Sequence, residues 1–189
     1  MNATLKMVWV ELKLLTRNPI AVGFTIFFPV LLLFVFGSIW GNQPDPQLDG
    51  HGMIDTMVPA YLALIIATTG LMSLPTSLAV RREQGILRRF RATPLRPAVV
   101  LGSQVIVNLI LAIVGTLLLI IIGRLVYNLQ LPADMLAVTV AFLVSGLSFF
   151  ALSFVVASLA RTGDAARSIG MALFFPMLML SGASLPRFL

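Results

Sequence analysis

The chain has 189 residues, of which 59% are hydrophobic and 11% charged, and its mean hydropathy is +1.01. A soluble domain of this length carries roughly 25% charged residues, so the composition excludes an ordinary soluble protein and indicates a membrane protein. The net charge of +6 raises the possibility of a nucleic-acid partner. The chain has no cysteine, which excludes disulfides and thiolate chemistry.

The N-terminal segment, residues 1–18, predicts an amphipathic helix lying in the membrane interface. Its apolar residues recur at three- and four-residue intervals, at Leu5, Val8, Trp9, Leu12 and Leu15. Its basic residues fall on another face, at Lys6, Lys13 and Arg17. An apolar stripe beside basic side chains is typical of interfacial helices. The pattern fits a plain anchor, and it also fits a helix that contacts a cytoplasmic partner.

Five uncharged stretches follow, each near the roughly 20 residues that an α-helix needs to cross a bilayer. They cover residues 20–40, 56–80, 97–123, 135–160 and 168–186. The last stretch is the shortest and carries Pro176 in its middle, which favours a kinked or broken span. The sequence therefore predicts an all-α polytopic transmembrane protein with about five spans.

The basic residues alternate in position along the chain. Three of the thirteen Lys and Arg residues precede the first span, six lie between spans two and three, and two lie before the fifth span. The charged residues between spans one and two are instead all acidic, at Asp45, Asp49 and Asp55. Because positive loops stay inside, the N-terminus is predicted to be cytoplasmic. The net charge is then a topology signal, and no nucleic-acid partner is predicted.

The basic loop between spans two and three has more structure than topology alone requires. Its predicted functional residues are Arg82, Glu83, Gly85, Ile86, Leu87, Arg88, Arg89, Phe90 and Arg91. Ile86, Leu87 and Phe90 share one face of a short helix, and arginines surround that face. Arginine and aromatic residues anchor protein interfaces, so the pattern favours a docking surface. Plain retention of the loop in the cytoplasm stays open as the alternative.

The run 82–94 resembles the R-E-x-G-(T/I)-L-x-R-(L/F)-x-A-T-P segment of type-2 ATP-binding-cassette (ABC) exporter permeases. The closest resemblance is to drug-exporter permeases of the daunorubicin-resistance type, and the ending 178–186 is also similar. The resemblance implies one transmembrane domain over residues 1–189, with residues 82–94 forming a cytoplasmic coupling helix that docks onto a separate ABC ATPase subunit. These permeases usually have a sixth span, so it also implies that this chain is a fragment or a shortened form.

Further expectations follow from the same resemblance. It implies ATP-driven export of a drug or lipid-like molecule, and hence drug efflux and antibiotic resistance. Two permease subunits, as a homodimer or a heterodimer, would form the pathway within the lipid of a bacterial plasma membrane. The chain is expected to be no enzyme, to have no catalytic residues and to bind no cofactor, since ATP is used by the partner.

The chemistry of the chain itself agrees with an external energy source. No lysine stands in a G-x-x-x-x-G-K-[ST] pattern, and none of the five stretches contains an ionisable Asp, Glu, His, Lys or Arg. The single histidine, His51, is not expected to form a metal site or a catalytic triad. Two alternatives remain: a secondary transporter or channel, and a membrane scaffold without transport.

Polar and aromatic residues inside the spans have two interpretations each. Asn108, Ser145 and Ser148 suit either helix packing or a substrate pathway. Phe149 and Phe174 belong to a set of phenylalanines that suit an apolar drug, lipid or the protein core equally well.

Overall fold

The computed structural model describes residues 3–16, 19–44, 50–86, 97–132 and 134–180. These residues form helices and connections, and the described part contains no β-strand, so the all-α prediction is confirmed. The helices are α1 (Ala3–Thr16), α2 (Pro19–Trp40), α3 (Met53–Ala67), α4 (Leu74–Glu83), α5 (Pro97–Tyr127), α6 (Met135–Leu159) and α7 (Gly163–Leu180). A π-helical turn, Thr68–Ser73, joins α3 to α4.

Local sequence signals account for several helix ends. The Asp134 carboxylate accepts a hydrogen bond from the amide of Ala137 and caps the start of α6. At the start of α3, the Asp55 carboxylate accepts from the amide of Gly52. Proline opens both α2 and α5, where its missing N–H costs nothing.

Within the described residues, three helices are long and apolar enough to cross a membrane. They are Met53–Glu83, which runs through the π-helical turn, Ala98–Tyr127 and Met135–Leu159, with 31, 30 and 25 residues. These helices match the predicted second, third and fourth spans. The predicted first span corresponds to α2, in which the apolar stretch Thr25–Trp40 is shorter than those three helices. The predicted fifth span runs past Leu180 into residues outside the described part. The count of five spans therefore stays a prediction.

The long helix Met53–Glu83 lies at the centre of the bundle. Its α3 half packs with α2 and α5, where Leu33, Tyr61 and Leu119 are fully buried. Its α4 half packs on α6 through Leu78 and Phe150. By contrast, one side of α6 exposes a row of apolar residues at Leu136, Val140, Val144, Leu147 and Val155. That row has the apolar character that a lipid-facing helix surface requires.

Helix α1 packs mainly against α5. It buries Met7 and Glu11, while Leu5 and Trp9 on its other side are exposed. Exposed apolar residues on a short helix outside the bundle agree with the predicted interfacial position. The sequence pattern placed Leu5 and Trp9 on the apolar stripe, and no prediction was made for Glu11.

The end of the bundle at the start of α3, which we call the acidic end, is held by one amide side chain. Asn42 accepts hydrogen bonds from the amides of Ile54 and Asp55 at 3.0 and 3.3 Å. Its own Nδ2 donates to Asp55 Oδ1 at 3.1 Å and to the carbonyl of Tyr127 at 3.0 Å. The backbone amide of Gln130 also donates to Asp55 Oδ1. These bonds join the ends of α2 and α5 to the start of α3.

Candidate functional site

The opposite end of the bundle, which we call the basic end, holds α1, the end of α4, the start of α5 and the α6–α7 connection. Three consecutive residues at the end of α4, Arg81, Arg82 and Glu83, bond to other elements there. They immediately precede and begin the run 82–94 that the sequence singled out. The described structure therefore shows how the entrance to the basic loop is held.

Arg81 forms a two-point ion pair with Glu11 of α1. Its two terminal nitrogens, Nη1 and Nη2, donate to Glu11 Oε1 and Oε2 at 2.5 Å each. Glu11 is only 3% exposed and the Arg81 side chain 16% exposed. Parallel bonds between a guanidinium and a carboxylate fix orientation as well as distance. The pair thus sets how α1 lies against the end of α4.

Arg82 and Glu83 both reach the α6–α7 connection. Arg82 Nη2 donates to the carbonyl of Ala160, the residue after α6. Glu83 Oε2 accepts from the amide of Gly163, the first residue of α7, at 3.0 Å. A carboxylate at the N-terminus of a helix is favoured by the helix dipole. One arginine and one glutamate therefore bind the end of one helix and the beginning of the next.

Glycine allows this connection to lie close to α4. A Cβ atom at position 163 would overlap the side chain of Val80. The small residues Ala79, Ala160 and Ala166 are buried together at the same contact. Close backbone approach brings the Gly163 amide within reach of Glu83.

Gly85 ends α4 and turns the chain toward the basic loop. Its φ of +69° lies in the left-handed region, and its amide donates to the carbonyl of Arg82 at 3.1 Å. A glycine in this conformation just past a helix is a common way to end it. Ile86, half-buried, is the last described residue before the gap. The predicted docking residues Leu87, Arg88, Arg89, Phe90 and Arg91 lie outside the described residues, so their helix and its exposed face stay predictions.

The described charges at the basic end are mostly positive. The exposed cations are Lys6, Lys13, Arg82, Arg161 and Arg167. The carboxylates of Glu11 and Glu83 are both engaged in the contacts above. An excess of Lys and Arg at one end fits the positive-inside pattern that the sequence predicted.

The π-helical turn brings α3–α4 against α6 and α7. The amide of Leu74 donates to the carbonyl of Thr69, five residues back, and Pro75 has no amide hydrogen. The carbonyl of Gly70 instead accepts from Ser153 Oγ of α6. A Cβ at position 70 would lie 2.7 Å from Phe149 Cβ, and one at position 170 would overlap the carbonyl of Leu71. Both glycines therefore permit close helix contacts at this turn.

The three polar residues predicted for packing or a pathway have different surroundings. Asn108 is buried in α5, and its Nδ2 donates to the carbonyl of Gln104 in the same helix. Ser145 and Ser148 lie on the exposed side of α6, and Ser148 Oγ bonds to the carbonyl of Val144. The serine of α6 that reaches another helix is Ser153, whose Oγ donates to the carbonyl of Gly70.

A cavity of about 220 Å³ lies between α3, α6 and α7. Its lining is apolar and consists of Ala60, Ala63, Leu64, Ala67, Phe149, Phe174, Met177 and Leu178. Two of the phenylalanines considered for drug contact, Phe149 and Phe174, thus face one space. The alanines of α3 recur on one side of that helix, and their small side chains leave the room.

Glu11 and Arg81 are the residues of the site that sequence reasoning missed. A signal was present, because Glu11 is the one acid in a helix segment that carries Lys6 and Lys13. A lone carboxylate four residues from an apolar Met7 indicates a buried position with a cationic partner. The partner, seventy positions later in the chain, has no such signal of its own.

The family model for the ABC-2 type transporter matches residues 2–187 of the chain. No curated protein and no solved structure gave a significant match.

Proposed function

The chain belongs to the ABC-2 type transporter family, as a transmembrane component that associates with an ABC ATPase subunit, and on that basis we propose that it is the permease of an ATP-driven exporter. Residues 82–94 are the segment that receives the motion of the ATPase in this proposal. Two copies, or one copy and a related permease, enclose the pathway in a bacterial plasma membrane. ATP is hydrolysed on the partner.

The observation that carries the proposal is the set of contacts made by Arg81, Arg82 and Glu83. A segment that transmits motion must be attached to more than the two spans on either side of it. Arg81, directly before this segment, bonds to α1, and Arg82 and Glu83 attach the segment to the α6–α7 connection. A displacement of the segment is thereby passed to four helices together. Directional bonds to charged groups are suited to this, since their geometry is restrictive.

The apolar cavity supports a lipophilic cargo. It is lined without a charged residue and lies between the central helix and α6 and α7. Binding sites for small molecules are concave and mostly apolar, with aromatic side chains prominent. An apolar drug or a lipid-like molecule suits the lining given by Phe149, Phe174 and Met177. A strongly charged cargo does not.

The proposal is tested by affinity purification of the tagged chain from its native membranes in mild detergent, followed by mass spectrometry and an ATPase assay. A co-purifying P-loop ATPase is expected. Its recovery and its stimulated hydrolysis should both fall at least tenfold in Phe90→Ala and Arg89→Ala. Phe27→Ala is the control for loss of an exposed phenylalanine away from the loop, and Arg124→Ala is the control for loss of a cation at the acidic end.

Each outcome has a distinct meaning. Full ATPase recovery from Phe90→Ala and Arg89→Ala contradicts the docking role of residues 82–94 but leaves the exporter proposal standing. Absence of any ATPase from a correctly folded wild-type chain contradicts the exporter proposal itself. Transport that follows an ion gradient and ignores ATP depletion would favour a secondary transporter.

A further inference from the structure

A small polar cluster lies inside the bundle between α4 and α5, toward the basic end. It consists of Ser77 of α4 and of Gln104 and Asn108 of α5. Gln104 is 3% exposed and Asn108 is 5% exposed. Ser77 lies one helical turn from Arg81, and Gln104 lies about two turns inside the start of α5.

Two atoms of this cluster have no hydrogen-bond partner among the described residues. They are Gln104 Nε2, a donor, and Asn108 Oδ1, an acceptor. The other polar atoms have partners: Asn108 Nδ2 donates to the Gln104 carbonyl at 2.9 Å, and Ser77 Oγ donates to the Leu74 carbonyl at 3.0 Å and lies 3.5 Å from Gln104 Oε1. The two unpartnered atoms are therefore one donor and one acceptor, and the residues that carry them lie on the same face of α5.

Rotating the side-chain amide of Gln104 or Asn108 by half a turn, which exchanges its oxygen and nitrogen, still leaves an atom without a hydrogen-bond partner. Exchanging Oδ1 and Nδ2 of Asn108 breaks its bond to the Gln104 carbonyl and leaves Nδ2 as the unpartnered atom. Exchanging Oε1 and Nε2 of Gln104 brings Nε2 toward Ser77 and leaves Oε1 without a donor. Each of these exchanges keeps a buried polar atom without a partner.

In a hydrocarbon environment such atoms are destabilising, because no solvent is present to pair with them. A molecule that bonds to both must accept from Gln104 Nε2 and donate to Asn108 Oδ1. Residues four apart on a helix face have Cβ atoms about 5–6 Å apart, a separation that one small molecule bridges. Water has both functions and the right size, and buried waters usually make about three such bonds.

We propose that Ser77, Gln104 and Asn108 form a binding site for water inside the membrane, at the contact of α4 with α5. The water accepts from Gln104 Nε2 and donates to Asn108 Oδ1, and Ser77 Oγ supplies a third polar contact. The proposal does not depend on transport or on an ATPase.

The test is water-edited solid-state NMR on the full chain in lipid bilayers, with uniform ¹⁵N labelling of backbone and side-chain amides. The Gln104 side-chain amide is expected to receive magnetisation directly from water. Gln104→Met, which removes one signal, identifies it. The backbone amide of Ala112, buried two turns further along α5, is the control within the same helix and should receive none. No transfer to Gln104 overturns the proposal.

A stability measurement gives a second, independent answer. If the two atoms are dry, the apolar variant Asn108→Leu removes one of them and should raise the midpoint of detergent unfolding. If they bind water, Asn108→Leu deprives the water of an acceptor and should lower the midpoint. A raised midpoint would overturn the proposal even if the NMR variant failed to fold.

Discussion

Glu11 of α1 and Arg81 of α4 lie seventy positions apart in the chain and form a two-point ion pair with N–O distances of 2.5 Å. The pair lies at the basic end, where it joins α1 to the end of the central helix. It also lies directly before the run 82–94, whose first two residues bond to the α6–α7 connection. The end of α4 is thus held both by α1 and by the α6–α7 connection.

Breaking this pair from one side should destabilise the bundle. Glu11→Leu leaves a mostly buried guanidinium without its anion, and Arg81→Leu leaves a buried carboxylate without its cation. Each is expected to cost about 3 kcal/mol of unfolding free energy. The double variant replaces both charges by apolar groups and should recover most of that loss. The measurement is equilibrium unfolding in mixed micelles.

The control for this series is Lys6→Leu, which removes an exposed charge from the same helix. It should change the unfolding free energy by less than about 0.5 kcal/mol. If the double variant is as unstable as the sum of the two single variants, Glu11 and Arg81 do not act as a pair.

The tight glycine contacts make a second prediction. Gly170→Ala places a methyl group against the carbonyl of Leu71, and backbone atoms have little room to move. We expect a loss of about 3 kcal/mol. Gly163→Ala contacts the side chain of Val80 instead, so its smaller loss should be relieved by adding Val80→Ala.

The matched control for these glycines is Gly102→Ala in α5, where a Cβ meets nothing within 4 Å. Alanine there should stabilise the helix by about 0.5–1 kcal/mol, because glycine loses more backbone entropy on folding. If Gly170→Ala behaves like Gly102→Ala, the packing of α7 against the π-helical turn is not as described.

The long spans were predictable because their signal is local. An uncharged run of 20 or more residues reveals a span without knowledge of any other element. The ends were less accurate: the predicted span 56–80 is observed as Met53–Glu83, and 97–123 extends to Tyr127. Asp55 and Arg81 are both helical, so the helix extends past the uncharged stretch at each end.

The contacts that organise the site were not predictable from one sequence. The π-helical turn contacts Ser153 and Gly170, which lie about eighty and a hundred positions after it. The sequence of Thr68–Ser73 alone does not predict these contacts. Burial of Glu11 likewise depends on Arg81. The docking face of Leu87–Arg91 remains a prediction, since those residues lie outside the described part.

A third prediction concerns Asn42, which joins three helix ends at the acidic end. Asn42→Ala removes the acceptor for the amides of Ile54 and Asp55 and the donor to the Tyr127 carbonyl. A loss of about 2 kcal/mol is expected, because partly buried polar groups are left unpaired. Gln43→Ala, at the exposed neighbouring residue, should have no measurable effect.

A charge exchange at the same place gives a sharper result. Asn42→Asp keeps the acceptor oxygens but sets a second carboxylate near Asp55, where Asn42 Nδ2 is now 3.1 Å from Asp55 Oδ1. Like charges at that distance repel, so this variant should be at least as unstable as Asn42→Ala. Adding Asp55→Asn restores one amide and one carboxylate and should recover stability. Failure to recover would contradict direct pairing of the two side chains.

The last prediction tests why Ser153 bonds to the π-helical turn. The amide of Leu74 is taken by Thr69 and Pro75 has none, so the main chain offers the Gly70 carbonyl no donor in this register. Ser153→Ala should therefore cost about 1–2 kcal/mol in unfolding free energy, as a buried acceptor loses its partner. Ser148→Ala, at an exposed serine of the same helix, is the control and should cost less than about 0.5 kcal/mol.

Pro75→Ala supplies the missing main-chain amide. If the π register is kept, the new amide at position 75 can donate to the Gly70 carbonyl. If the turn becomes α-helical, the amide of Leu74 can donate to the Gly70 carbonyl instead. In that background Ser153→Ala should cost little, because the carbonyl has a main-chain donor. A double-mutant cycle measures this dependence as a coupling free energy, expected at about 1 kcal/mol. Equal cost of Ser153→Ala with proline and with alanine at position 75 would mean that Ser153 acts through side-chain packing and not through the Gly70 carbonyl.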